Sequence, residues 1–165
     1  MRDDWPSTPV LPDQRHVTAA CALGELRKRQ RDFAVAILVE GKRDKKALLS
    51  LGFGEPIVLL NQGKSIDSVL ISMVETYGPR HRVDGKATIV VLMDWDRTGG
   101  RLQRKCVENL RALDVFIDES AHRTLLRSIK PESTTVEGLQ ALTGLLRPLM
   151  NQVDPLAASE EDFLP

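Results

Sequence analysis

Apolar residues in this chain come in two arrangements: short unbroken blocks, and stripes that return every three or four positions. Three blocks stand out: AVAILV (34–39), PIVLL (56–60) and ATIVVLM (87–93). A continuous apolar block of this length, bounded by polar or turn-forming residues, predicts a strand covered on both faces. A shorter block, DVFI (114–117), predicts a fourth strand. The stripes predict helices. Ile66, Val69, Leu70, Met73, Val74 and Tyr77 follow the i, i+3, i+4, i+7, i+8, i+11 spacing of one helix face. VTAACALGELRKRQRDF (17–33) predicts a helix with its basic end at the C-terminus, where the helix dipole favours it. KRDKKALLSLGF predicts a short helix with Gly52 as C-cap. Leu102, Cys106, Leu110 and Leu113 predict a helix from Gly99 to Leu113. A last helix is predicted from Thr134, where Thr134 and Glu137 have capping-box spacing, with Leu139, Leu142, Leu146 and Leu149 as its stripe.

Strands alternating with helices predict an α/β domain: a mainly parallel, Rossmann-like sheet of about four strands with helices on both faces. The pattern divides the chain into a flexible arm (1–16), an N-terminal helix (17–33), the α/β domain (34–130), a C-terminal helix packed on it (131–150) and a tail (151–165).

Composition narrows this picture. A chain of 165 residues suffices for one domain with its own core. Aromatic residues make up only 4%, so that core must be aliphatic. No apolar run approaches the roughly 18 residues of a membrane span, and the start lacks a secretory layout. The expectation is a cytoplasmic chain with no membrane partner. Cys21 and Cys106 lack the paired Cys/His spacing of a zinc site and read as small buried hydrophobes. The net charge of zero is unevenly laid out: Leu23–Lys130 carries 20 Lys/Arg against 14 Asp/Glu, and the flanks carry 3 against 9. A basic body suits a polyanion such as nucleic acid, and equally an ordinary solvated surface.

The candidate chemistry lies where the strands end. In open parallel sheets, sites form outside the carboxyl ends of the strands. Glu40 ends the first predicted strand, Asn61 the second, and Asp94 with Asp96 the third. Acids two apart on a strand end can point the same way. With Glu40, they would bring three carboxylates into one small space, a conflict that a divalent cation removes. Oxygen ligands with room for water suit magnesium or manganese. Lys42, Arg43, Lys64, Arg97, Arg101 and Arg104 lie around these acids in sequence. Gly99 and Gly100 open a helix whose N-terminus would attract an anion. As a set, these positions read as a phosphate track; singly, each cation reads as a solvated surface charge.

ILVEGKRDKKAL, followed some fifty residues later by VVLMDWDRTGG, resembles the Toprim domain of bacterial-type primases, topoisomerases, old-family nucleases, a recombination mediator and a 5S ribosomal RNA maturase. The resemblance rests on Glu40-Gly41, on Asp94-Trp95-Asp96 with Gly99, and on Asp44 four residues after the Glu. It runs from about Ala34 to Lys130, and the whole chain is most similar to small stand-alone archaeal Toprim proteins resembling the maturase. The resemblance implies magnesium and phosphodiester chemistry, with Glu40 a metal ligand or general acid/base and Asp94 and Asp96 metal ligands. It implies a small nuclease acting in RNA maturation or nucleic-acid processing. The chain offers little surface for selecting a substrate, which leaves room for a partner protein that delivers it. Topoisomerase chemistry needs a nucleophilic tyrosine on a separate domain, whereas Tyr77 lies on the buried stripe of a helix.

Two other readings fit. A Toprim domain can lose catalysis and serve as a nucleic-acid or protein-binding module in repair or replication. DWDRT also matches the Asp-x-Asp-x-Thr of haloacid-dehalogenase-type phosphatases, with Asp94 as nucleophile and Asp96 as acid/base. That family, however, expects its motif on the first strand. His16, His81 and His122 are read as non-ligands, and Trp95 as a packing residue.

Overall fold

The computed structural model describes residues 13–155. The sequence-predicted arm and tail lie largely outside these residues. Within them, the sheet has three parallel strands, β1 (Ala36–Val39), β2 (Ile57–Leu59) and β3 (Ile89–Val91), in the order β2-β1-β3. β1 pairs Ile37 with Ile57 on one side and Leu38 with Val91 on the other. The helices are α1 (Gln14–Phe33), α2 (Lys42–Ser50), α3 (Ile66–Tyr77), α4 (Arg97–Ala112), α5 (Ser120–Ser128) and α6 (Thr143–Val153). A 3-10 helix at Glu137–Leu142 precedes α6.

Side chains alternate across the strands, so β1 feeds two cores. Ile37 and Val39, with Val90 and Leu92, pack against α1, α2, α5, the 3-10 helix and α6. Ala36 and Leu38, with Ile89, Val91 and Met93, pack against α3 and α4. The sheet is thus covered on both faces, which is why its strands read as unbroken apolar blocks. Tyr77 is half-buried against the second core, as its stripe predicts.

Several expectations need correction. DVFI is not a strand. Asp114 takes a left-handed conformation (φ 62°), and the Phe116 amide donates to the Pro79 carbonyl at 2.9 Å. The place beside β3 is held by a side chain instead. Gln103 on α4 accepts from the Met93 amide and donates to the Val91 carbonyl, both at 3.0 Å, as a neighbouring strand would. The sheet therefore has three strands among the described residues, not four.

The first helix begins at Gln14 rather than 17, because Asp13 caps it by accepting from the Arg15 and His16 amides. The fourth begins at Arg97 rather than Gly99, because Asp96 is its N-cap. The segment from Thr134 forms a loop and a 3-10 helix before α6 starts at Thr143.

The chain's last described turn is fixed from the interior. Arg27 on α1 is 1% exposed and donates to Asp154 Oδ2 at 2.9 Å, the Leu51 carbonyl at 2.7 Å and Asn151 Oδ1 at 2.8 Å. Arg31 lies 2.6 Å from the other Asp154 oxygen. Residues 151–154, read from sequence as the start of a tail, are therefore anchored. Of the cysteines, Cys106 is buried as expected and Cys21 is exposed.

Candidate functional site

Strand order positions the site. The chain leaves β1 for β2 on one side and returns to β3 on the other, so a crevice opens at the carboxyl ends of β1 and β3. The Leu38–Val91 register places Glu40 level with Met93, beside Asp94. At the end of β2, the Asn61 amide donates to the Glu40 carbonyl at 3.0 Å.

Each acid has a distinct setting. Asp44, in the first turn of α2, accepts from the Gly41 amide at 3.0 Å and also from the Glu137 amide. Asp94 Oδ1 accepts from the Val136 amide at 2.8 Å. Asp96 Oδ1 accepts from the Gly99 amide at 2.6 Å, capping α4. Because β3 stops at Val91, Asp94 and Asp96 lie beyond the ladder and serve different helices rather than pointing out side by side. Glu40 is half-buried, and its carboxylate has no hydrogen-bond or ion-pair partner among the described residues.

The acids share one electrostatic neighbourhood. Burial pushes Asp94 up to about 6, and the carboxylates of Asp44, Asp96 and Glu40 push in the same direction. The Val136 amide pulls the other way, toward the ionised form. Asp44 is raised too, chiefly by burial and further by the Glu137 carboxylate, against the pull of the Gly41 and Glu137 amides.

The loop at Ser133–Val136 borders the site and is bonded to it, a contact that the sequence reading missed. Trp95, 3% exposed, donates its indole N–H to the Ser133 carbonyl at 2.6 Å and its amide to the Thr134 carbonyl at 2.9 Å. Trp95 is thus a packing residue, as expected, and it ties the Asp-x-Asp turn to this loop. His122 on α5 packs edge-on to Trp95, with ring centroids 6.5 Å apart, and places Nε2 3.3 Å from the Asp94 carbonyl. Burial lowers its basicity. The only sequence signal for this contact was the Thr134–Glu137 capping spacing. In the structure, Asp94 beyond β3 and Asp44 of α2 take the capping role, accepting the Val136 and Glu137 amides.

Gly99 is required by close approach. A Cβ there would meet the Asp94 carbonyl oxygen and would stand 2.5 Å from Asp94 Cβ. Gly100 has open space at the equivalent point.

The predicted cations are all exposed. Arg97, Arg101 and Arg104 form one stripe along α4 at i, i+4 and i+7. Lys42 and Arg43 open α2, and Arg43 lies 3.8 Å from Glu137. Lys64 lines a cavity of about 180 Å³ with Val58, Gln62 and residues of α3.

The donor chemistry suits a hard divalent cation: oxygen ligands whose mutual repulsion a cation would relieve. Among the described residues, however, no group of three or more His, Cys, Asp or Glu side chains is placed to hold a metal ion. The three-carboxylate cage read from the sequence is therefore not assembled. Magnesium does not require one, because it commonly keeps several waters and takes one or two carboxylates. Asp94 and Asp96, each with one oxygen free of hydrogen bonds among the described residues, are the residues that would hold it.

No helix of the described residues is long and apolar enough to cross a membrane. No family model matches the chain. The chain is similar to a UPF0292 protein of Thermococcus onnurineus, 30% identical over 131 residues that cover 79% of this chain and 88% of the relative. A UPF0292 protein of Thermococcus gammatolerans matches with the same identity and coverage. The chain is also similar to a solved structure of a protein from Aquifex aeolicus. The TM-score is 0.54 at 28% identity, covering 70% of this chain and 93% of that one.

Proposed function

The chain belongs to the UPF0292 family, and we propose that it is a magnesium-dependent nucleic-acid phosphodiester enzyme of the Toprim type, a small nuclease acting in RNA maturation or nucleic-acid processing. The observation that carries this reading is the strand register that sets Glu40 beside Asp94, with Asp44 of α2 and Asp96 near enough for their charges, together with burial, to push Asp94 up to about 6. A site that merely capped strand ends would not need three further carboxylates set against Asp94.

The roles follow from the settings. Glu40, uncommitted to any backbone amide, is the group to hold or move a proton at the substrate. Asp94 and Asp96 are held by the Val136 and Gly99 amides, so their free oxygens are fixed in place. When bound, magnesium supplies positive charge against phosphate oxygens. The Arg97, Arg101 and Arg104 stripe offers a track for a phosphate backbone leading to the acids. Asp96 fills the α4 N-terminus, so the cations, not that terminus, are the anion-binding part of this reading.

A second reading, a Toprim-type module that binds nucleic acid or protein without cleaving it, is favoured by one feature: the carboxylates do not close around a common point among the described residues. One experiment separates the two. Labelled 5S ribosomal RNA precursor and single- and double-stranded DNA are incubated with the purified protein in magnesium, manganese or EDTA, beside Glu40→Gln and Asp94→Asn. Metal-dependent cleavage lost in both variants establishes the enzyme. Metal-independent binding without cleavage, unchanged in the variants, establishes the module.

A further inference from the structure

We propose that the end of the molecule opposite the acids is an interface through which two copies of this chain pair about a two-fold axis. A groove of about 640 Å³ runs between the C-terminal half of α1 and the start of α5. It exists because Ala22, Ala87 and Ala121 line it with small side chains, leaving Leu26 and Val90 as its floor. Phe33 and Phe116, 36% and 43% exposed, form its mouth. Phe33 precedes β1 and Ala87 precedes β3, so the groove lies at the amino ends of the strands.

A projection stands beside this recess. Val83 is 83% exposed, the most exposed large apolar residue among those described. Its loop is fixed to the groove's own wall. Arg29 of α1 binds Asp84 at 2.7 Å, and Phe33 meets the His81 ring edge-on at 4.9 Å. An apolar projection next to an apolar recess on one surface is what a self-complementary, isologous contact requires. A two-fold axis between them sets each Val83 over the other copy's groove.

The charges favour a second copy over another partner. With Arg29 held by Asp84 and Asp32 beside Arg31, Lys28 and Lys86 on the rim are matched in number by Glu25 and Asp118. A two-fold pairing can set these opposite signs against one another. A polyanion would meet repulsion from half of the rim. Pairing here leaves both acidic sites facing outward.

The test is sedimentation equilibrium of the full chain from roughly 1 to 100 μM, beside Val83→Asp and Phe116→Asp. Both residues are exposed, and circular dichroism checks that the variants fold. The expected result is a wild-type mass approaching twice 18.4 kDa, with each variant weakening association at least about tenfold. A wild type that stays monomeric throughout overturns the proposal, and so does a dimer that both variants leave intact. In the monomeric case, saturable binding of the apolar anion 8-anilinonaphthalene sulfonate, lost in Phe116→Asp, would assign the groove to a small ligand instead.

Discussion

Asp94 accepts the Val136 amide at 2.8 Å, across 42 residues of sequence, so an acid of the candidate site also holds the loop beside it. That bond favours the ionised carboxylate, whereas burial and three neighbouring acids oppose it, and the opposition prevails. The result is an acid raised from its ordinary 3.8 to about 6.

The pH dependence follows with a definite sign. An acid with a raised folded-state pKa contributes stability that is fully present below its unfolded value and is lost as pH rises through the folded one. For Asp94 the window runs from 3.8 to about 6. Asp94→Asn keeps an acceptor for the Val136 amide and removes the charge. In EDTA the variant should match the wild type near pH 4 and exceed it above pH 6. The gap is about 1 kcal/mol once discounted for solvent screening, or about 2–4 °C in melting temperature. His122, buried and lowered, loses its contribution as pH falls, but it is present in both proteins and cancels in the difference. Equal melting temperatures at pH 8 would show that the acids do not repel. Adding magnesium at pH 8 should close the gap by stabilising the wild type.

Gly99 and Gly100 form an internal control. Both lie in the first turn of α4, where alanine is the better helix former by roughly 1 kcal/mol. Gly100→Ala should therefore be neutral or stabilising by up to that amount. Gly99→Ala drives a methyl into the Asp94 backbone and should cost about 1–3 kcal/mol. Thermal melts of the two variants check this, and equal effects would mean that α4 does not sit against Asp94 as described.

These contacts mark the boundary of what the sequence discloses. The three strands were legible because a strand covered on both faces must be apolar at every position. Their order places Glu40 beside Asp94, so the core of the site was legible as well. DVFI misleads because Val115 is buried like a strand residue while the edge of β3 is occupied by Gln103, a polar side chain that no hydrophobic pattern marks. α5 was missed because only Ala121, His122, Leu125 and Ser128 of its nine residues turn inward. The Ser133–Val136 loop was missed because its bonds to Trp95 and Asp94 are made largely by backbone groups, which every residue carries.

Arg27 and Asp154 should behave as a unit. Both are 1% exposed, and removing one partner leaves the other's charge buried. Asp154→Ala should cost about 3–5 kcal/mol, read as a lowered urea midpoint. Loss of much less would mean that water reaches Arg27.

The Arg97, Arg101 and Arg104 stripe gives the sharpest test of the nucleic-acid reading. The three are exposed and make no ion pair among the described residues, so replacing them disturbs no internal contact. If each neutralises one backbone phosphate, each Arg→Ala should weaken binding uniformly across sequences. It should also reduce the slope of log affinity against log salt by about 1. The triple variant should lower that slope by about 3 while leaving the melting temperature unchanged. Lys64→Ala, on the cavity beside α3 rather than on the α4 stripe, should leave the slope alone. A slope unchanged in the triple variant would remove α4 from the interface, whatever the acids at its N-terminus do.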